Sequence, residues 1–207
     1  MIGLRVAGAL VAAVAAWVPV AAEPGMPALE ALGTALRGAA AWQADYIQEY
    51  VAAGMSSGER VEGTVAVAWP DRALFVAGSP PWQMMGLDGR VVRLVDLEAD
   101  SCDEHRLDDE EWARVPLAAV LDPTAAVDHF TVLEHGGRGF ALAPREPGGV
   151  DRVEVVLDER NLPAEVVIRD PQGAVNRLRF SAWRKADGPP EGRWLPQPPP
   201  GVECVGD

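Results

Sequence analysis

Between Pro27 and Ala40 the apolar positions keep a helical period: Leu29, Leu32 and Leu36 form one stripe, and Pro27 suits a first turn. Gly33 and Gly38 interrupt that stripe. The next stretch, AWQADYIQEYV (41–51), fits two periods at once. Trp42, Tyr46 and Tyr50 recur every four residues, as on one face of a helix. Trp42, Ala44, Tyr46 and Tyr50 also share one face of a strand, with Gln43, Asp45 and Glu49 on the other. Beyond Gly54 the period is two. Residues 60–69 place Val61, Gly63, Val65, Val67 and Trp69 on one side, and Pro70-Asp71 ends the run. Strands at 72–78, 82–89 and 90–97 follow, with Asp88-Gly89 as a favoured hairpin turn pair. An acidic, polar stretch from Glu98 to Glu111 leads into a helical segment at 110–123. Pro116 divides that segment into two short pieces, Leu117, Val120 and Leu121 share one face, and Asp122-Pro123 stops it. Strands resume at 129–135, 139–146, 151–159, 163–170 and 174–183, about ten residues apart with short turns, which predicts an antiparallel meander. The tail from Gly188 is too proline-rich for a central strand, although Trp194 and Val202 are suited to pack on an edge.

The pattern therefore predicts a mainly β chain with about ten strands and two helical segments. A single antiparallel sheet of that size curls, and its concave face has to be filled. Apolar residues line the same face of several strands, and the helical segments are modest in size. The expected architecture is a partly closed barrel with an apolar interior, loosely plugged by helices.

The N-terminus bears on compartment. Arg5 supplies a short positive region, residues 6–20 are apolar and alanine-rich, and Val20-Ala21-Ala22 forms a small-residue cleavage site before Glu23. Residues 1–22 are expected to be a cleaved secretory signal peptide, with a retained N-terminal anchor as the alternative. Residues 23–207 then form one domain of 207 − 22 = 185 residues, enough to bury a core. Removing Arg5 takes the net charge from −13 to −14. Such acidity argues against nucleic acid and against adsorption to anionic lipid. No Cys stands directly after the cleavage site, so lipidation there is not expected, and in an exported chain the two cysteines, Cys102 and Cys204, are expected to pair as a disulfide. Two separate buried thiols are the alternative. With no Cys-x-x-Cys and no basic surroundings, a redox role is not expected.

Recognisable catalytic chemistry is sparse. Cys102-Asp-Glu-His105 holds ligand types without metal-site spacing, and His129 and His135 add no motif. No Gly-x-Ser-x-Gly elbow and no glycine-rich phosphate loop is present. The carboxylates sit in runs such as 108–111, the usual mark of a solvated face. Neither an enzyme, a cofactor nor a metal site is expected. What stands out is apolar: six tryptophans follow residue 22, and Met84 and Met85 are adjacent. Such residues fill an ordinary β core or line an adaptable lipid pocket, and composition alone leaves both readings open.

In order, these elements resemble the LolA-type periplasmic carriers of outer-membrane lipoproteins. The resemblance rests on the aromatic strand with Trp42, Tyr46 and Gln48, on Gly63 and Pro70 ahead of the aromatic strand of Phe75, and on GLDGRVVRLVD. It continues through VPLAAVLDP, similar to the family's Pro-Leu lid, through the strands from FALAPRE to SAWR, and through WLPQPPPGVECV, similar to its closing strand. It covers 29–205 and makes 41–51 the first strand. It implies an incomplete antiparallel β-barrel of about ten to eleven strands, with helices lidding an apolar cavity. It also implies a role: taking lipoproteins by their acyl chains from an inner-membrane ABC transporter to an outer-membrane acceptor, in the periplasm. One position departs. The family commonly has Arg before the proline that ends the second strand, where it helps to fasten the lid by hydrogen bonding. Here Trp69 stands there, and strand alternation points the nearby Arg72 to the other face, so Trp69 would hold the lid by packing.

On this reading Trp42, Tyr46, Val67, Trp69, Phe75, Val92 and Leu94 are expected to line the cavity from the sheet, and Leu117, Val120 and Leu121 from the lid. The chain is expected to act as a monomer. Two rivals stand beside the carrier. One is a periplasmic lipid- or lipoprotein-sensing regulatory module of the same fold. The other is a secreted hydrolase using two converging carboxylates.

Overall fold

The computed structural model describes residues 25–206, apart from the side chains of Ala113 and Arg114. The expected signal peptide lies outside the described residues. Helix α1 (Met26–Leu36) buries Leu29, Leu32 and Leu36. It ends at Leu36, four residues before the expected Ala40, in a turn where the Gly38 N–H donates to the Ala35 carbonyl at 3.0 Å. Six strands follow: β1 (Ala41–Val51), β2 (Glu59–Ala68), β3 (Arg72–Ala77), β4 (Gln83–Asp88), β5 (Val91–Asp96) and β6 (Ser101–Arg106). Three short helices, α2 (Asp109–Arg114), α3 (Pro116–Leu121) and α4 (Pro123–His129), lead to β7 (Phe130–Glu134) and β8 (Gly139–Pro144). Then come β9 (Arg152–Leu157), β10 (Pro163–Arg169), β11 (Val175–Ala186) and a two-residue β12 (Val205–Gly206).

The twelve strands of the described residues form one sheet in the order β12-β6-β5-β4-β3-β2-β1-β11-β10-β9-β8-β7. Every neighbouring pair is antiparallel except β12 with β6. The two ends of the sheet do not pair, so the barrel stays open. The long strands β1 and β11 lie side by side near its middle: the chain starts at that centre, builds outward to β6, crosses through the helices to β7 at the far edge and builds inward to β11.

The ambiguous segment 41–51 is the strand β1. Trp42, Ala44 and Tyr46 are buried on the inner face, while Asp45 is exposed on the other. A helix would have satisfied its own backbone. Here β2 and β11 take up the hydrogen bonds on either side, so pairing overrides the four-residue spacing of the aromatics. A bulge between Gln43 and Asp45 faces residues 181–184 of β11, where Ala182 takes φ 55. The extra residue puts Trp183 inward as well as Phe180, and their rings lie 5.6 Å apart.

Two expectations need correcting. The stretch 98–111 is not a simple polar connection, because Ser101–Arg106 pairs with β5 as β6. Asp122-Pro123 stops one helix but starts another. The Asp122 carboxylate accepts from the Thr124 and Ala125 N–H groups, and Pro123 opens α4. The same grammar builds the whole helical run. Asp108 and Glu111 form a capping box on α2, and Pro116 opens α3.

The proline-rich tail crosses the outer face. At Gly86 the position a Cβ would take lies 2.3 Å from the Trp194 carbonyl oxygen and 2.5 Å from Pro196 Cδ, so only glycine lets the tail approach. Leu74, Val95 and Cys102 point outward yet are buried on that face. Cys204 is disulfide-bonded to Cys102, and Arg93 donates to the Pro196 carbonyl at 3.1 Å.

Candidate functional site

The inner face carries the core in two parts. Under α1 and α4 it is solid: Phe130, Val132, Phe140, Leu142, Val153 and Val155 are buried there. Across β1–β5 and β10–β11, below α3, the packing opens into a cavity of about 320 Å³. Its floor is built by register. Tyr46 lies opposite Gly63 on β2 and Phe180 on β11, and Phe75 lies opposite Val65 and Met85. A Cβ at Gly63 would lie 2.0 Å from the Val76 carbonyl oxygen and 2.9 Å from the Tyr46 ring, so glycine here admits both the β3 backbone and the aromatic. Tyr46 and Phe75 pack edge to face with centroids 5.4 Å apart. Pro116, Leu117, Val120 and Leu121 of α3 form the roof, and Val166, Ile168 and Leu178 close the far wall.

Of the residues singled out from the sequence, Tyr46, Val67, Phe75 and Leu94 line this cavity, as do Leu117, Val120 and Leu121. Trp42, Trp69 and Val92 do not. Trp42 faces inward but is a fastener: its indole N–H is shared by the Ala35 and Leu36 carbonyls, both at 3.2 Å, at the end of α1. Those are carbonyls that a helix leaves without internal partners. Val92 is partly buried and packs against the core. Met85, which composition left open between core and pocket, lines the cavity, while sequence reasoning missed the β10–β11 wall and the three amides Gln48, Gln83 and Asn176. The period-two pattern of β10 and β11 does mark Val166, Ile168 and Leu178 as inward-facing. Which inward positions border empty space depends on curvature that the pattern does not carry.

Trp69 stands outside the cavity, 40 % exposed, and the Arg37 guanidinium lies over its ring, 5.4 Å from the centroid. Arg72 pairs with Asp88 at 2.8 Å on the outer side. The helices are tied to the sheet elsewhere. Arg90, in the β4–β5 turn, stacks over the Trp112 ring of α2 at 4.7 Å and bonds Asp109 at 3.1 Å. His105 of β6 reaches Glu111 at 3.1 Å.

Burial pushes the Tyr46 phenol up to about 12 from 10.0. At neutral pH it is an uncharged group in an apolar wall. The folded chain therefore resists ionising Tyr46 where the unfolded chain does not. Its contribution is intact below pH ~10 and is lost as pH rises towards ~12, an expected fall of about 2–3 kcal/mol from this group. Urea unfolding at neutral and strongly alkaline pH checks this, and Tyr46→Phe should remove that part of the alkaline loss.

On the outer face the charges pair along the strands. Glu165 bonds Arg177 at 2.7 Å and Arg179 at 3.0 Å, and Glu154 bridges Arg152 and Arg169. Partial burial raises the Glu165 carboxyl, but hydrogen bonds and charge from Arg179 and Arg177 outweigh it and hold its pKa below the usual carboxylate range. Among the described residues no group of three or more His, Cys, Asp or Glu side chains is placed to hold a metal, and no helix is long and apolar enough to cross a membrane.

An open β half-barrel with a helix-roofed apolar cavity is the architecture of a carrier fold. The chain belongs to the LolA family: the family model described as outer membrane lipoprotein carrier protein LolA matches residues 37–192. No match is found among curated protein sequences. Among solved structures, a conserved protein of Thermus thermophilus superposes with TM-score 0.51 at 12% identity, covering 88% of this chain and 98% of that one. A LolA superfamily protein from Nitrosomonas europaea gives TM-score 0.44 at 11% identity, over 82% and 97% of the two chains. The MucA/MucB complex of Pseudomonas aeruginosa gives 0.45 at 18% identity, over 76% of this chain and 56% of that one. At these identities the likeness to the Thermus protein is one of fold.

Proposed function

We propose that this protein is an exported periplasmic carrier that holds the acyl chain of a lipoprotein under α3 and passes it from an inner-membrane ABC transporter to an outer-membrane acceptor. The observation that supports this most is the apolar cavity under the Pro116 helix, lined by no charged side chain among the described residues. A methylene takes up roughly the ~30 Å³ of a liquid water, so the space holds on the order of ten of them. Burying ten methylenes yields ~8 kcal/mol before the loss of translational and rotational freedom is subtracted. The net affinity is then moderate. That suits a carrier: loading needs an energised donor, and unloading needs an acceptor with a stronger site.

The work on this reading is transfer, with no bond made or broken, so the protein needs no catalytic group. The disulfide supports an oxidising compartment. Depletion in the source cell tests the role. Fractionation should then find lipoproteins retained in the inner membrane. Normal sorting with altered envelope signalling would instead favour a sensing module of the same fold.

A further inference from the structure

Charge is divided between the two faces of the sheet. Strand alternation sends Arg93, Arg169, Arg177 and Arg179 outward, where Glu104, Glu154 and Glu165 hold them. The described cavity lining carries no charge, and its polar side chains are neutral: three amides, the Tyr46 phenol and the Trp183 indole, whose N–H donates to the Pro163 carbonyl. Gln48 Nε2 donates to Asn176 Oδ1 at 3.0 Å, and Gln83 Nε2 reaches Asp96 Oδ2 at 3.4 Å. Asp96 is the charged group in contact with a lining side chain. Its other oxygen accepts from the Glu98 and Ala99 N–H groups, which fixes the carboxylate in place. Glu59, opposite Tyr50, and Asp103, opposite Leu94, face the same side by register.

From this arrangement, and resting on the carrier reading, we propose that the site selects a single acyl chain joined to its head by an uncharged carbonyl linkage, an amide or ester, and rejects anionic head groups. The Gln48–Asn176 pair keeps the second Gln48 N–H and the Asn176 amide N–H groups free to donate to an acyl carbonyl. Among the described side chains no cation lines the cavity to receive a carboxylate or a phosphate. An anionic head would lose water next to Asp96 with nothing to replace it. The volume holds on the order of ten methylenes, so a longer chain, or further chains, have to raise α3 or extend outside.

The test is displacement of a neutral fluorescent acyl probe from the full mature protein by competitors of equal chain length. These are an N-acyl peptide amide, a monoacylglycerol, the free fatty acid and a lysophosphatidylglycerol. The two neutral competitors should bind on the order of tenfold more tightly than the two anionic ones at low salt, with the gap closing as salt screens Asp96. Asp96→Asn should narrow the gap without added salt, and Gln48→Leu should weaken the neutral competitors several-fold. A preference for the peptide amide over the monoacylglycerol identifies the lipopeptide as the fitting source, and the reverse identifies a glyceride. Equal or tighter binding of the anionic competitors at low salt overturns the selectivity while leaving the carrier intact. Failure of every acyl compound, the probe included, overturns the carrier reading itself.

Discussion

Replacing Leu94 with glutamate is expected to leave the protein folded and to reduce acyl-chain binding at least a hundredfold. Leu94 lies on β5 opposite Met85 and is half-buried, with its side chain on the cavity wall. In the empty protein a carboxylate there keeps access to water in the cavity, so the fold should lose only about 1–2 kcal/mol, within the range of ordinary substitutions. Cargo changes that balance. An acyl chain filling the cavity strips water from the carboxylate and offers it no partner, a penalty of several kcal/mol that falls on the loaded state alone. Circular dichroism and urea unfolding measure the first effect, and probe titration measures the second. Unchanged binding in a folded Leu94→Glu variant would place the ligand elsewhere. The equivalent change at Val92, which faces the same side but does not line the cavity, should spare binding.

The second large effect is expected from the disulfide. Cys102 and Cys204 are 102 residues apart, and a loop near that length stabilises by up to ~4.7 kcal/mol in the chain-entropy model. Reduction should therefore lower the melting temperature by roughly 10–15 °C for a chain of this size. It should also release the tail. β12 is a two-residue strand on the edge of the sheet, and the segment from Trp194 to Pro196 lies against Gly86 of β4 and Arg93 of β5. Hydrogen exchange in residues 193–206 should rise on reduction before the centre of the sheet loosens. The Cys102→Ser/Cys204→Ser double variant should behave like the reduced protein. A melting shift below about two degrees in both would show that the tail's packing, and not the crosslink, holds it.

Much of the fold is legible in the sequence. The strands from 72 to 97, where Leu74 and Val95 are apolar on the outer face, read from the turns at Pro70-Asp71 and Asp88-Gly89. Those at 60–69 and from 129 to 183 read directly from period two. The segment 41–51 does not, since Trp42, Tyr46 and Tyr50 satisfy both periods, and only pairing with β2 and β11 decides between them. β6 was hidden because it lies near an edge. Its inward residues Ser101, Asp103 and His105 are polar, and only Cys102 is apolar on the outer side. α4 was hidden because Asp-Pro is both a stop and a start. At the site, residue type identified inward-facing positions, but it did not separate those that touch a void from those that touch a neighbour. Trp42 is the clearest case. It is a large inward aromatic beside the cavity, yet its indole N–H is committed to the end of α1. Arg37 over Trp69 and Arg90 over Trp112 pair residues far apart in the chain, which no local pattern reveals.

The central claim is that the cavity under α3 holds an acyl chain of a lipoprotein. It is tested most directly by co-expressing the protein with a lipoprotein, purifying it without detergent, and taking intact mass spectra of the complex. The predicted result is a complex carrying the fully acylated lipoprotein, absent for Leu94→Glu. Recovery of the protein alone, or with only delipidated cargo and no bound lipid, would contradict the account.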